Sequence, residues 1–177
     1  EYAVEHWGDD FVINTNADGA VDFKLVTAPV SAPGRDNWSD LVAHSPGTLI
    51  LGMEALKNHL IRLERKDGLP RVVVRERKSG AEHTIAFEGA AYALAISTGY
   101  EYDTDRMRLE YASPSTPDET YDYNLVTRER TLRKTREVPS GHDREDYRVE
   151  RIMAPAHDGE SVPVTLLRHK DTPVDGT

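Results

Sequence analysis

Two serines of this sequence have a histidine and an aspartate nearby, the three residue types of a serine hydrolase. Ser140 precedes Gly141-His142-Asp143, and Ser161 follows His157-Asp158. A hydrolytic serine on a strand-to-helix turn requires G-x-S-x-G, since small neighbours permit the sharp turn that exposes the hydroxyl. Neither serine has these neighbours, and a catalytic triad depends on proximity in space rather than along the chain. We therefore predict turn or solvent contacts for both serines and no catalytic residue in this chain.

The segment Asn14-x-Asn16-x-Asp18-Gly19 imitates the first half of a calcium loop. The bidentate glutamate expected at the twelfth position would fall on Leu25, and the flanking residues are typical of strands rather than helices. An Asx turn between strands is the favoured interpretation. The seven histidines never occur at H-E-x-x-H spacing, and the absence of cysteine excludes Cys-ligated zinc, disulfides and thiol nucleophiles. We predict no metal and no cofactor.

Two charged segments are candidate binding surfaces. The basic run Arg128 to Arg136 favours a solvated outer strand, because its side chains would alternate between faces; an interface with another domain is the alternative. Glu101, Asp103 and Asp105 could attract basic peptides, although charged loop tips are common on soluble proteins.

The net charge of -9 disfavours nucleic acid and anionic membranes as partners. No apolar run approaches the roughly 18 residues of a membrane helix.

The elements that would position these residues are short β-strands, because apolar residues hardly ever recur at helical spacing. Turn signals rich in Gly, Pro, Asn and Asp separate three successive rounds of four strands. The predicted strands are 2–6, 10–14, 22–27 and 38–43; 48–53, 59–64, 71–77 and 82–87; and 92–97, 107–112, 120–125 and 129–133.

These rounds form a repeat. Ile13, Ile61 and Leu109 each lie in the second strand of a round and are separated by 48 residues in both intervals. Four strands at a period of about 40–50 residues are typical of β-propeller blades. A generic antiparallel meander with coincidental spacing is the alternative. The predicted fold is all-β, with three four-stranded blades at about 1–46, 47–90 and 91–136.

Three blades are too few to close a propeller, which needs about four to eight. We therefore expect this chain to be part of a larger propeller, and its start at Glu1 rather than at a methionine favours an internal piece. Open blade faces and unpaired strand edges would favour self-association of the isolated chain.

A different pattern follows the blades. Residues 137–147, with many charges and few apolar residues, predict a linker. Two β-rich runs, Arg148 to Ala156 and Ser161 to Arg168, then flank His157-Asp158-Gly159-Glu160. Asp-Gly between such runs is a strong hairpin signal. We predict that residues 148–177 are the truncated beginning of a second domain.

The segment from Thr116 to Lys170 contains a series of short motifs: Thr116-Pro117, Tyr121, Tyr123-x-Leu125-x-Thr127-x-Glu129, Glu137-Val138-Pro139, Tyr147-Arg148-x-Glu150-Arg151, Asp158-Gly159 and Val162-Pro163-Val164. Upstream, Asn14-Thr15-Asn16 leads to Phe23-Lys24-Leu25. With these motifs the segment resembles the junction between the last propeller blade and the peptidase domain in the prolyl oligopeptidase family (peptidase S9), most closely in its oligopeptidase B branch. The upstream residues are similar to a blade of the same family.

The resemblance implies a seven-bladed propeller that caps an α/β-hydrolase domain and admits only short peptides to a Ser-Asp-His triad. It also implies cleavage after Arg or Lys, hence basic peptides as substrates. About four blades and the catalytic body have no counterpart in this sequence, so no nucleophile, oxyanion donor or specificity carboxylate can be assigned. The chain is expected to be a non-catalytic gating part, inactive alone, whose partner is the missing peptidase domain. The lack of cysteine suits a cytoplasmic protein.

Two other functions remain open at this point. A propeller can bind a protein or ligand without any hydrolysis, in which case codons beyond Thr177 would lack G-x-S-x-G with a downstream Asp and His. The chain could also be a hydrolase by itself, which predicts turnover of an Arg-Arg reporter peptide by the purified chain. We expect no such turnover.

Overall fold

The computed structural model describes residues 1–175 and contains three four-stranded antiparallel sheets followed by a two-stranded hairpin. This confirms the predicted all-β fold of propeller blades and a terminal hairpin. Gly176 and Thr177, the last residues of the predicted second domain, lie outside the described residues. The division of the chain into domains at 136 and 147 stays a prediction.

Each blade pairs its strands in chain order, as a meander does. Blade 1 contains β1 (Tyr2–Trp7), β2 (Asp10–Thr15), β3 (Lys24–Pro29) and β4 (Ser39–Val42). Blade 2 contains β5 (Thr48–Ala55), β6 (His59–Lys66), β7 (Leu69–Glu76) and β8 (Glu82–Ile85). Blade 3 contains β9 (Ala93–Ser97), β10 (Arg106–Ser113), β11 (Thr116–Asn124) and β12 (Arg130–Thr135). The hairpin contains β13 (Tyr147–Pro155) and β14 (Ser161–His169).

The 48-residue repeat has a structural counterpart, because Ile13, Ile61 and Leu109 lie in the second strands β2, β6 and β10. The largest boundary difference is at β11, which begins at Thr116 rather than at residue 120. Only Pro114 and Ser115 form the turn before it, so that Pro117 lies within the strand.

Blades 2 and 3 share the largest apolar core of the described chain. Because side chains alternate along a strand, Ile61 on β6 and Leu109 on β10 both point into this interface, and each is fully buried. Burial of such a side chain contributes about 1.5–3 kcal/mol. The other buried members of the cluster are Leu56, Val72, Val74, Ile85, Met107, Tyr123 and Leu125.

The opposite face of blade 2 packs on blade 1. Leu60, next to Ile61 in β6, joins a second buried cluster with Trp7, Val12 and Leu25 of blade 1. The Trp7 indole Nε1 also donates a 2.8 Å hydrogen bond to the carbonyl of Leu56 in blade 2. Blade 2 is therefore covered on both faces, as a central propeller blade is.

A buried ionic network lies on the face of blade 2 that turns to blade 1. Glu64, only 2% exposed, accepts hydrogen bonds of 2.6 Å from both Arg62 and Arg71. Arg62 also donates two 2.8 Å bonds to Glu82, which accepts a third from Arg75. The Arg62 guanidinium, helped by Arg75, holds the pKa of Glu82 below its usual range. Each of the two carboxylates, the buried Glu64 and the exposed Glu82, thus has two cationic partners.

The β13–β14 hairpin pairs in continuous register from Tyr147 with His169 to Pro155 with Ser161. Its turn is closed by the Ala156 N–H, which donates to the Glu160 carbonyl over 2.7 Å. Both of its strands are exposed or only half-buried along their whole length, whereas blade strands such as β2 and β6 contain buried residues. Pairing alone therefore defines this element, without a packed face.

Candidate functional site

The blades have two ends, which we name by the linker. At the linker end, β12 ends and the predicted linker 137–147 begins. The turns Asp67–Gly68 and Pro114–Ser115 lie at this end because strand direction alternates. At the far end lie the connections β5–β6, β7–β8, β9–β10 and β11–β12. The first strands β1 and β5 contact each other, so these strands form the inner side of the stack.

The predicted acidic cluster lies at the far end, where most of it serves to join blades. Asp103 pairs with Lys57 of blade 2 at 2.6 Å. The Asp105 carboxylate lies 3.5 Å from His59 Nδ1 of blade 2. The backbone carbonyl of Asp105 accepts a hydrogen bond from the Leu125 N–H within blade 3. Glu101 is exposed. Two of the three acids therefore carry interblade contacts rather than forming a free acidic patch.

Two further carboxylates lie near the far end of the inner strands. Burial, together with the negative charge of Glu54 on β5, raises the pKa of Glu5 on β1. Thr98, which follows β9, donates to Glu54 over 3.2 Å. Sequence patterns gave no sign of this pair, because the two glutamates are 49 residues apart and belong to different blades. Together they make the inner far end acidic.

A cavity of about 260 Å³ opens between blades 2 and 3 at the far end. His59 is 6% exposed, and among the described residues neither its Nδ1 nor the facing Asp105 Oδ1 has a hydrogen-bond partner. His83 Nε2 lies 3.0 Å from the Tyr123 hydroxyl. Burial and the charge of Arg128 lower the pKa of His83, so its imidazole is neutral near pH 7. The described residues that line the cavity include no serine or cysteine.

At the linker end, the residues around Ser140 serve the turn that leads to the hairpin. The His142 Nε2 donates to the Ser115 carbonyl over 2.9 Å, and its ring stacks on Tyr147 at 5.4 Å. Asp143 accepts the Glu145 N–H over 2.9 Å and so caps a short 3₁₀ segment, Arg144–Asp146. His142 thus attaches this segment to blade 3, while Asp143 shapes the segment itself.

The second serine setting is a hairpin turn. Ser161 pairs with Pro155 at the start of β14, and Asp158 Oδ1 accepts the Glu160 N–H over 3.1 Å. Asp158 therefore shapes the turn. The expectation that this chain holds no catalytic residue stays a prediction.

The calcium-like segment does not gather its carboxylate and amides into one site. The Asp18 carboxylate lies 2.6 Å from Arg35 and 3.5 Å from Lys24, and Arg35 above all lowers its pKa. The expected Asx turn is replaced by a 3₁₀ segment, Ala17–Gly19, whose first N–H is accepted by Thr15 Oγ1. Within residues 1–175 no three His, Asp or Glu side chains are grouped as metal ligands.

The basic run behaves as the predicted outer strand. All six residues of β12 are exposed. Arg130 reaches back over the Phe87 ring at 4.5 Å and the Tyr121 ring at 5.1 Å, while Arg133 donates to Asp122 over 2.7 Å. Burial and the Glu119 carboxylate that accepts its hydroxyl raise the pKa of Tyr121 to about 12. The run therefore contributes to packing inside and beside blade 3.

One long-range contact at the linker end escaped the sequence analysis. The Arg151 guanidinium on β13 donates a hydrogen bond to the Asp67 carbonyl in the β6–β7 turn of blade 2. The two residues are 84 positions apart, and only the Asp-Gly turn signal at 67–68 marked that site.

In the part of the chain that the structure describes, no helix has the length and apolar character needed to cross a membrane.

Stacked four-stranded meanders of this kind define a β-propeller protein. The family description "Prolyl oligopeptidase, N-terminal beta-propeller domain" matches residues 1–136. The chain therefore belongs to the prolyl oligopeptidase family, which confirms the resemblance found in its residues.

Relatives and solved structures agree with this membership. The chain is 40% identical over 177 residues to dipeptidyl aminopeptidase BI of Pseudoxanthomonas mexicana, covering 99% of this chain and 24% of that protein. It is 29% identical over 166 residues to protease 2 of Moraxella lacunata, covering 94% and 23%. The structure of oligopeptidase B from Leishmania major matches with a TM-score of 0.90 at 31% identity, covering 99% and 26%.

Another solved structure is oligopeptidase B from Trypanosoma brucei with covalently bound antipain in a closed form. It matches with a TM-score of 0.88 at 27% identity, covering 98% of this chain and 26% of that one. The chain thus spans about a quarter of the length of the proteins it matches.

Proposed function

We propose that this chain is the non-catalytic, substrate-gating propeller part of a serine oligopeptidase that hydrolyses short peptides. The observation that carries the proposal is the hairpin at the linker end: family membership rests on residues 1–136, and directly after them the chain forms an element exposed on both faces. Apolar residues on both faces are typical of strands covered on both sides. A catalytic body beside the blades would supply that cover.

In this proposal the catalytic chemistry belongs to the body. A Ser nucleophile, a His base and an orienting Asp would form and hydrolyse an acyl-enzyme. The blades would act by exclusion, because their packed interfaces would direct peptides past the inner strands. Peptide length would then decide access before any side chain is recognised.

We further propose cleavage after Arg or Lys. The sequence resemblance to the oligopeptidase B branch implies this preference. The acidic inner far end supports it, because Glu5 and Glu54 would attract cationic peptides. A cytoplasmic location is part of the same proposal, and the cysteine-free sequence is compatible with it.

A second cleavage mode has its own support. The relative that is 40% identical is named a dipeptidyl aminopeptidase, an activity that requires a free amino terminus on the substrate. Two reporters with the same basic residue before the scissile bond separate the modes. Cleavage of the N-terminally blocked reporter supports endopeptidase action, whereas cleavage restricted to the unblocked one supports dipeptide release.

The gating proposal is tested with the full-length gene product and a series of basic peptides of increasing length. We expect kcat/KM to fall steeply beyond a threshold length, because access is limited by the blades. Equal rates for short peptides and for an unfolded protein substrate would refute gating. An absence of all peptidase activity, with tight binding of a protein or ligand, would support the binding-module alternative instead.

A further inference from the structure

The β9–β10 connection of blade 3, residues 98–105, is the longest of the three inner connections at the far end. Residues 8–9 join β1 to β2, and residues 56–58 join β5 to β6. Because β9 is the first strand of its blade, as β1 and β5 are of theirs, all three connections lie along the inner rim. Hairpin connections usually contain about two to five residues, which residues 98–105 exceed. We call residues 98–105 the far-end loop.

The far-end loop attaches blade 3 to blade 2. The Tyr102 carbonyl accepts a 2.9 Å hydrogen bond from the Lys57 N–H, which belongs to the β5–β6 connection. Asp103 also pairs with the Lys57 ammonium, but both side chains are exposed, so this ion pair contributes little. The backbone hydrogen bond therefore fixes Tyr102 beside the β5–β6 connection.

Tyr102 also reaches past blade 2 to blade 1. Its hydroxyl accepts a 3.1 Å hydrogen bond from the Gly8 N–H, which lies 94 positions away in the β1–β2 connection. In a stack of repeats, each unit ordinarily contacts only its neighbours. Tyr102 thus joins blades 1 and 3 directly, although blade 2 lies between them.

The β1–β2 connection is contacted by blade 2 at the same point. Gly8 has a φ of 70°, and a Cβ there would overlap the Arg77 guanidinium, so no side chain fits at this position. The Arg77 guanidinium also lies over the Trp7 ring, 5.6 Å from its centre. Gly8 therefore receives Arg77 from blade 2 and Tyr102 from blade 3.

We propose that Tyr102 holds blades 1, 2 and 3 as one rigid unit at the far end of their inner strands. Its carbonyl and its hydroxyl fix the distances from the β9–β10 connection to both other connections, so that no blade rotates against the next. In the proposed gating function Tyr102 is then a positioning residue, because the blades exclude long peptides only while the inner strands keep their spacing. This consequence rests on the proposed function, whereas the rigidity of the three blades does not.

The full-length protein tests this role through two variants of Tyr102 and a matched control. Tyr102→Phe removes only the hydroxyl that accepts the Gly8 N–H, whereas Tyr102→Ala also removes the ring. Tyr100→Phe is the control, because it removes a hydroxyl from the same loop but Tyr100 is fully exposed. Circular dichroism confirms that each variant is folded.

The first readout is hydrogen–deuterium exchange followed by mass spectrometry, which reports local opening of the backbone. We expect the peptide that contains Gly8 to exchange several-fold faster in Tyr102→Phe than in the wild type. Tyr102→Ala should add faster exchange of the peptide that contains Lys57, and Tyr100→Phe should match the wild type in both peptides. Equal exchange of the Gly8 peptide in all four proteins would overturn the rigid unit, even in an active enzyme.

The second readout is the ratio of kcat/KM for a long basic peptide to that for a short one. Loss of spacing between the inner strands should raise this ratio several-fold in Tyr102→Ala and less in Tyr102→Phe. A merely structural role would lower both values together and leave the ratio unchanged, and that result would overturn the positioning role. Faster exchange in a protein without any peptidase activity would keep the rigid unit and refute the proposed function.

Discussion

Blade 2 and the β13–β14 hairpin are built from the same antiparallel pairing, yet their side chains occupy opposite environments. Leu60 and Ile61 of β6 are fully buried, whereas Ile152 of β13 is 46% exposed and Leu167 of β14 is 48% exposed. Hydrogen-bonded pairing is continuous both in the β6–β7 pair of blade 2 and in the hairpin. Stacking on neighbouring blades, rather than pairing, therefore buries strand residues in this fold.

The hairpin is nevertheless patterned for burial. In its register Ile152 pairs with Val164, and Val149 pairs with Leu167 on the other face. Apolar pairs on both faces are typical of strands that are covered on both sides, as in blade 2. Glu64 in blade 2 and Glu150 in the hairpin give a second matched pair, one buried with arginines and one exposed with Arg168 at 3.0 Å. The same substitution at matched positions in blade 2 and in the hairpin therefore measures how much burial contributes to stability.

The largest effect is expected for Glu64→Gln. This change leaves Arg62 and Arg71 without the buried carboxylate that both now contact, at a cost of about 3–5 kcal/mol in the free energy of unfolding. Glu150→Gln should cost no more than about 1 kcal/mol, since its ion pair is exposed. Urea denaturation of the 177-residue chain, followed by tryptophan fluorescence, measures both. Similar losses of unfolding free energy for Glu64→Gln and Glu150→Gln would contradict the expected difference between the buried and the exposed ion pair.

Ile61→Ala is expected to cost about 2–5 kcal/mol, because it opens a cavity in the core shared by blades 2 and 3. Ile152→Ala in the same 177-residue chain should cost less than about 1 kcal/mol, because its side chain is already half in water. In the full-length protein, the cost of Ile152→Ala should rise toward that of Ile61→Ala. A small cost there as well would contradict a catalytic body covering the hairpin.

The Glu82 carboxylate is expected to make the stability of the chain depend on pH, with an effect of intermediate size. Arg62 and Arg75 lower the folded-state pKa of Glu82, so its contribution to stability is complete above the unfolded-state value and is lost as pH falls through the folded-state value. Glu82→Gln should therefore flatten the decline in urea midpoint below about pH 4.5. Parallel curves for the wild type and the variant across the acid range would disprove this assignment.

The smallest effect is expected for Lys57→Ala. Its 2.6 Å ion pair with Asp103 joins blades 2 and 3 but is exposed and screened by water and salt. The urea midpoint should not change measurably, and 0.5 M sodium chloride should shift wild type and variant equally. A clear loss that salt removes would indicate that far-end charges hold the blades together.

The blade strands could be predicted because their signals are local: alternation with period two, Asp-Gly turns and the repeated position of Ile13, Ile61 and Leu109. The residues that each charged side chain contacts could not be predicted. The sequence pattern indicates that Asp103 and Asp105 are charged residues at a loop tip. Blade stacking instead brings them close to Lys57 and His59. Arg151 was recognisable in the sequence only as part of a family motif. Its contact with Asp67 depends on how the linker folds back, which no spacing encodes.

The most direct test of the account is hydrolysis of an N-terminally blocked Arg-Arg reporter peptide by two proteins, the purified 177-residue chain and the full-length gene product. We predict turnover by the full-length protein and none above background by the chain, which gates but does not catalyse. Turnover by the 177-residue chain itself, proportional to its concentration and lost on unfolding, would contradict the account.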